Sequence, residues 1–219
     1  MIRTLGTVLF FLSVLGTAAA LLGVAASLAM KKGKAARLVA LAVPAWWGVY
    51  FALLLAVSWT SRDTVLPPNG EIFFSTGLDR DLALSVTHVE RAHAIGTPPD
   101  TTKAEGLFYI VFARVRSDAA KNPMRLENPV IELVDEKGNR YQRSPAAEFA
   151  LDGVEERSVS LETPVAVGEH FDKTLAFDVP KDAGPLFLAA SHGGPEMRFI
   201  IGEENSLLHA RTLLSLPTR

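Results

Sequence analysis

The sequence predicts a helical hairpin in a membrane followed by an all-β domain, an antiparallel β-sandwich of about seven strands. Three observations lead to this fold class. Two apolar runs, Thr4–Met30 and Leu38–Trp59, open the chain and contain no charged residue. The only cluster of Lys and Arg in this region lies between the two runs. After residue 70, short alternating segments separated by turn-forming residues replace the long runs.

The two apolar runs have the length of membrane-spanning helices. The hydrocarbon core of a bilayer is about 30 Å thick, so a spanning helix needs about 20 apolar residues. Runs of 27 and 22 residues meet that requirement. A helix of a soluble protein seldom stays uncharged for so long, because one face must meet water. We therefore expect residues 1–60 to form two transmembrane helices, at 4–30 and 38–59.

The charges between the helices predict the orientation of the protein in the membrane. The connection carries four basic residues, Lys31, Lys32, Lys34 and Arg37. Short loops rich in Lys and Arg remain in the cytoplasm. Everything after Trp59 would then lie outside the cytoplasmic (inner) membrane, in the periplasm of a Gram-negative bacterium.

A cleaved signal peptide is the alternative interpretation of the first run. The small residues Gly16–Ala20 would supply a cleavage region. The apolar stretch continues to Met30, however, well past the ~7–15 apolar residues of a signal peptide. Cleavage would also move the large domain into the cytoplasm, against the charge rule. The sequence therefore favours a first transmembrane helix.

Small residues recur along one face of the first helix, at Gly16, Ala20, Gly23 and Ser27. Such a face lets two helices approach closely. We expect it to pack against the second helix, and dimerisation or docking onto a larger membrane partner is the alternative. Pro44 is expected to kink the second helix. Neither run contains Asp, Glu, Lys, Arg or His, which argues against a transporter or channel acting alone.

The remainder of the chain divides into a linker at 61–70, a β-sandwich at 71–204 and a C-terminal tail at 205–219. The predicted strands are Glu71–Ser75, Leu82–Ile95, Leu107–Arg116, Val130–Val134, Arg140–Tyr141, Phe171–Val179, Leu186–Ala190 and Met197–Ile201. The predicted core residues are Leu84, Val86, Ile110, Phe112, Leu133, Phe177 and Leu188. The tail Asn205–Leu214 fits either a helix or an edge strand, and we expect it to close the core of its own domain rather than to bind a partner.

Two segments resemble a known family. Val130–Tyr141 (VIELVDEKGNRY) and Val167–Asp182 (VGEHFDKTLAFDVPKD) are similar to the hairpin and the late strand of the telokin-like, immunoglobulin-like domain. That domain occurs on bacterial surface lipoproteins and membrane proteins, and its function is unknown. The resemblance implies an immunoglobulin-like sandwich. The chain has no cysteine, so two helices replace the lipid anchor, and a long loop, Gly96–Gly106, separates two strands.

No residue pattern predicts a catalytic, cofactor or metal site. The five histidines, His88, His93, His170, His192 and His209, lack the spacing of metal ligands. Ser191–Gly194 (SHGG) has no nucleophile elbow to accompany it and is expected to be a turn. Asp79–Asp81 is expected to lie in a solvated turn. Asp152–Glu156, with Glu148 nearby, lacks the regular ligand spacing of a calcium loop.

The charge composition argues against nucleic-acid binding. A formal net charge of −2 gives no basic field for nucleic acid. We expect a non-enzymatic extracytoplasmic domain, held in the lipid bilayer by two helices, that serves protein interaction or envelope structure. An accessory subunit of a transport or secretion complex is the main alternative, and a metal-binding or enzymatic domain with a site assembled from loops is the third.

Overall fold

The computed structural model describes residues 2–74, 82–96, 101–152, 159–203 and 205–217. The chain forms two compact units. The helical unit comprises Met1–Arg62 together with Pro195–Ala210, and the β unit comprises Asp63–Gly194 together with Arg211–Arg219. The division differs from the expected one, in which residues 71–204 form the sandwich. A late stretch of the chain instead belongs with the N-terminal helices.

Two long helices build the helical unit. Helix α1 spans Ile2–Ala29 and helix α2 spans Gly33–Thr60. Both are long and apolar enough to cross a membrane. Trp46 Nε1 donates to Ser13 Oγ and Trp47 Nε1 donates to Thr17 Oγ1, each at 3.0 Å. These bonds join the helices and satisfy the two indole N–H groups.

The expected packing of the small-residue face is wrong at Gly16. Gly16 is exposed, and a Cβ built on it would meet nothing within 4 Å. Gly23 and Ser27, further along α1, are half-buried. The glycine in close contact is Gly6, where a Cβ would lie 2.0 Å from the carbonyl oxygen of Ile201.

Residues Pro195–Ala210, here called the helix-bound segment, pack on these helices. The predicted strand Met197–Ile201 is wrong, because a 3₁₀ helix covers Pro195–Phe199. Ile201 instead lies in an apolar cluster with Tyr50 and Leu54 of α2. Ile201 is therefore buried against helices and not in a sheet.

The β unit consists of two sheets and one short helix. Its nine described strands are β1 Thr64–Leu66, β2 Glu71–Phe74, β3 Leu82–Ile95, β4 Thr102–Ser117, β5 Val130–Asp135, β6 Arg140–Gln142, β7 His170–Val179, β8 Leu186–Ser191 and β9 Thr212–Ser215. One sheet has the order β1-β9-β8-β5-β6 and the other has the order β2-β3-β4-β7. Helix α3 spans Pro145–Asp152.

Several details of the prediction need correction. The described strands number nine rather than about seven, and β1 and β9 pair in parallel. Strand β1 lies in the expected linker and β9 in the expected tail. Strands of three and four residues are too short to show an alternating pattern. Strand β4 begins at Thr102, so the expected long loop before it is shorter.

The main core lies between the two sheets. Leu84, Leu133, Phe177 and Leu188 are fully buried there, as the sequence predicts. Ile110 is buried in a second, smaller cluster beneath Ala147 of α3. Phe112 is only half-buried at the edge of that cluster, so its place in the predicted core is wrong. One outer face of the sandwich is therefore partly covered by α3.

Candidate functional site

The histidines lie in different structural environments. His88 lies 5.6 Å from the Phe112 ring and 3.4 Å from Glu90, while His93 and His170 are exposed. His192 is buried with its ring centroid 5.1 Å from that of Phe74. Within the described ranges, no group of three or more His, Cys, Asp or Glu side chains could hold a metal ion.

The structure can be compared with the three loop segments that the sequence analysis singled out. Ser191 is the last residue of β8, and the chain then bends at Gly193, which has a φ of 99° and donates its N–H to the carbonyl of Glu127 at 2.6 Å. Asp79–Asp81 lies outside the described residues, and so do residues 153–156 of the acidic segment. Glu148 is buried and forms a bidentate pair with Arg143, at 2.8 Å and 2.5 Å. Glu148 is therefore a structural ion-pair partner.

A shallow polar groove of about 750 Å³ opens beside β6 and the end of β7. Several of its polar groups have structural partners. Asp178 accepts hydrogen bonds from the backbone N–H groups of Glu105 and Gly106, at 2.8 Å and 3.0 Å. Ser144 accepts the N–H of Glu148 with its backbone carbonyl, at 3.0 Å, and begins α3. These contacts hold loops and a helix in place.

The outer face of the five-stranded sheet has a different character. Successive side chains of a strand point to opposite faces, and Ile131 and Leu133 of β5 point into the core. The alternate residues of the paired strands therefore share the outer face. They are Val65, Val130, Glu132, Val134, Arg140, Gln142, Phe187, Ala189, Ser191, Leu213 and Ser215. Among them, Val65 is 51% exposed and Val130 is 47% exposed.

A charged cluster interrupts this apolar face. The side chain of Glu132 is only 9% exposed, and its Oε2 lies 3.5 Å from Arg140 Nη1 and 3.6 Å from Arg211 Nη1. Gln142 donates to the other carboxylate oxygen. Two arginines thus share one buried carboxylate, and both remain more than a third exposed, at 48% and 40%.

The crowding of charged groups around Glu132 affects the pKa of Arg211. Burial lowers the pKa of Arg211 and the charge of Arg140 lowers it further, while Glu132 and Asp63 act in the opposite direction. An arginine stays protonated in spite of such a shift. A further carboxylate placed on this face would relieve the repulsion between the two guanidinium groups.

The opposite outer face, on the four-stranded sheet, carries paired charges. Arg114 and Asp172 form a bidentate pair at 2.7 Å and 2.9 Å, and their hydrogen bonds hold the pKa of Asp172 below its usual range. Arg116 bonds Glu71 at 2.9 Å and also contacts Asp118. Helix α3 covers part of the remainder.

Comparisons with known proteins give distant similarity only. No family model and no curated protein matches the chain, so the telokin-like resemblance stays a prediction. A conserved hypothetical protein from Bacillus anthracis is 22% identical over 56% of this chain and 87% of its own, with a TM-score of 0.45. The secreted Mycobacterium tuberculosis protein MPT63 is 14% identical over 61% and 93%, with a TM-score of 0.42.

A third solved structure is an uncharacterised β-sandwich protein from Clostridium difficile. It is 10% identical over 72% of this chain and 96% of its own, with a TM-score of 0.40. Similarity at this level assigns neither a family nor a function. The sandwich architecture of the β unit follows from its own two sheets and their shared core.

The sequence did not predict the charged cluster on the outer face of the five-stranded sheet. Glu132, Arg140 and Arg211 lie on three different strands or strand ends, and the last is separated from the first by 79 residues of sequence. Their proximity depends on the order β9-β8-β5-β6, which no local pattern reveals. The one available signal was Glu132, a charged residue at the centre of the apolar strand Val130–Val134.

Proposed function

We propose that the protein is a membrane-anchored, extracytoplasmic, immunoglobulin-like β-sandwich that binds another protein through the outer face of its five-stranded sheet. The observation that carries this proposal is the combination of exposed valines with two arginines that share one buried carboxylate. Arginine and apolar side chains surrounded by a polar rim are typical of protein interfaces. The expected partner surface presents a carboxylate among apolar side chains.

The membrane anchor rests on α1 and α2. Their length and apolar composition are sufficient for two spans, and the basic connection favours a cytoplasmic hairpin loop. The β unit would then belong to the extracytoplasmic side of the bacterial cytoplasmic membrane. A tether of this kind suits a domain that works on a partner in the same envelope.

A binding role is favoured over catalysis. In the groove beside β6, Asp178 holds a loop and Arg143 holds Glu148 of α3. On the outer face of the five-stranded sheet, Val65 and Val130 remain about half exposed. The edge strands β1 and β6 have three residues each, and such short edges disfavour strand addition by a peptide. Side-chain contact with the sheet face is therefore the proposed mode.

Site-specific photo-crosslinking in the native cell tests the proposal. A photoreactive amino acid replaces Val130 on the outer face, and the same amino acid replaces Phe149, which is 82% exposed on α3, as the control. A discrete crosslinked protein is expected from position 130 and not from position 149. Identical products from both positions, or no product from position 130, would contradict the proposal.

Charge reversal supplies the second part of the experiment. Arg140→Glu is expected to reduce the crosslink at position 130 about tenfold, as for an interface residue worth more than ~1 kcal/mol. Arg125→Glu, at another exposed position, makes the same change in net charge and is expected to leave the crosslink unchanged. An equal loss of the crosslink in both variants would show that the outer face has no specific role in binding the partner.

An accessory subunit of a membrane complex is the second candidate function. The observation that favours it is an apolar groove of about 550 Å³ between α1 and α2, lined by Leu12, Gly16 and Ala42 among others. The polar groups beside it, Ser13 Oγ and Thr17 Oγ1, already accept the two indole N–H groups. Apolar side chains of a partner's transmembrane helix fit such a groove, and small residues allow close approach.

Matched glycine variants distinguish this second function. Gly16→Leu fills the groove, whereas Gly48→Leu places the same side chain on α2 at a position that also has open space around it. If a membrane complex co-purifies in mild detergent, Gly16→Leu should release it and Gly48→Leu should not. Retention of the complex by both variants would exclude the groove as its docking site.

A further inference from the structure

The helix-bound segment follows the last three turns of α2. Tyr50 Oη donates to the carbonyl of Phe199 at 2.7 Å, and the hydroxyls of Ser58 and Ser206 lie 3.3 Å apart. The N–H of Ala210 donates to Ser61 Oγ at 2.8 Å. From residue 50 to residue 61 a helix rises about 16 Å. The segment is thus fixed along the end of α2 that leads into β1.

Five backbone N–H groups of the segment are paired with carbonyls of the same segment. Ile200, Glu203 and Ser206 donate their N–H groups to the carbonyls three residues earlier, at 3.2, 3.2 and 2.9 Å. Leu207 donates to the carbonyl of Arg198 at 3.1 Å, and His209 to that of Ser206 at 3.1 Å. Non-helical backbone at membrane depth requires such pairing, because lipid offers no hydrogen-bonding partner.

Large apolar side chains of the segment remain exposed. Leu208 is 82% exposed, Leu207 is 41% exposed and Phe199 is 37% exposed. Trp59, on the neighbouring turn of α2, is 89% exposed. Leu208 also adopts a φ of 59°, a conformation that costs energy for a leucine. Exposed apolar side chains grouped along one segment mark an interaction surface.

The depth of the segment identifies what covers it. Ile201 contacts Gly6, which lies three residues, or about 4.5 Å, along α1 from the charged Arg3. A charged residue is expelled from the hydrocarbon core to its boundary, so the segment lies near that boundary. Helix α2, with 28 residues, is about 42 Å long and exceeds the ~30 Å core. Its final turns therefore extend through the interfacial region.

We infer that the helix-bound segment is a third membrane contact, in which Phe199, Leu207 and Leu208 insert into the leaflet that contains the end of α2. This inference rests on the proposed membrane anchor. The partner is a lipid surface, whose interfacial region accepts apolar side chains together with Trp59 and the exposed Arg198. The segment adds apolar contact with the bilayer without crossing it.

Fluorescence quenching by lipid tests this inference in the full chain. The protein has no cysteine, so single cysteines can carry a polarity-sensitive dye without any other change. Leu208→Cys probes the segment. Leu12→Cys, at an exposed position in the middle of α1, is the lipid control, and Lys137→Cys, at an exposed hairpin turn, is the water control. The labelled proteins are reconstituted in vesicles containing lipids brominated near the headgroup.

The expected result is a blue-shifted emission for the dye at position 208, quenched several-fold more by brominated lipid than the dye at position 137. A dye at position 208 that behaves like the one at 137, while position 12 reports lipid, would overturn the inference alone. Emission typical of water at both 12 and 208 would overturn the membrane anchor and the inference together. A blue-shifted dye at 208 without lipid quenching would mean that protein covers the segment, and would also overturn the inference.

Discussion

Replacing Gly6 by alanine should detach the helix-bound segment from α1. A Cβ at position 6 would lie 2.0 Å from the carbonyl oxygen of Ile201 and 2.9 Å from its carbonyl carbon. Both atoms belong to the backbone, so no side-chain rotation can relieve the overlap. The segment must shift by about 1.4 Å to bring that 2.0 Å separation to an ordinary contact distance. A shift of that size also threatens the 2.7 Å bond between Tyr50 and Phe199.

The magnitude follows from the two interactions that are disturbed. Overpacking of a closely packed site destabilises it by about 1–3 kcal/mol, and a lost hydrogen bond adds about 0.5–1.5 kcal/mol. If overpacking acts alone, the population of the detached segment rises about 5- to 150-fold, since ~1.4 kcal/mol corresponds to tenfold. Gly16→Ala on the same helix meets nothing within 4 Å and should leave the segment in place.

Limited trypsin digestion of the detergent-solubilised protein measures this population. Cleavage at Arg198, within the segment, requires the chain to open locally, so its rate follows the open population when opening is fast. Gly6→Ala should raise the rate of cleavage at Arg198, and Gly16→Ala should not. Equal rates for the two variants would refute the close approach of Ile201 to α1.

Two further predictions concern the β unit. Phe177→Ala should lower the free energy of unfolding by about 3–5 kcal/mol, because Phe177 is fully buried. Phe149→Ala, the exposed control, should change it by less than ~0.5 kcal/mol. Similar values for the two variants in urea unfolding would contradict the assignment of Phe177 to the core. The hydrogen bonds that the Asp135 carboxylate accepts, first from Asn139 and then from Tyr141, lower its pKa. This stabilisation is complete above the unfolded pKa of ~3.9 and is lost as pH falls through the lower folded value. Melting temperatures should therefore fall more steeply below about pH 4 in the native protein than in Asp135→Asn, and equal slopes would contradict the network.

The regular parts of the fold could be predicted because their patterns are local. Strand β3, Leu82–Ile95, has the predicted bounds, because its apolar and polar residues alternate over several successive positions. The Gly138 turn between β5 and β6, at φ 81°, follows from residue types that tolerate positive φ. The two apolar helices follow from length and composition alone.

The remaining parts depend on contacts between distant stretches of sequence. Met197–Ile201 has the apolar character of a buried strand, and periodicity alone cannot distinguish burial in a sheet from burial against helices. The close approach at Gly6 becomes visible only when Ile201 is placed beside it. The shared carboxylate of Glu132 likewise depends on strand order, which brings Arg140 and Arg211 to the same face.

Cysteine accessibility in intact cells tests the central claim, that the two helices hold the β unit outside the cytoplasmic membrane, most directly. Lys137→Cys labels the β unit and Lys34→Cys labels the basic end of α2, in a chain that has no other cysteine. A maleimide that cannot cross the cytoplasmic membrane should modify position 137 in spheroplasts and position 34 only after lysis. Modification of position 34 in spheroplasts, with position 137 protected until lysis, would contradict the account.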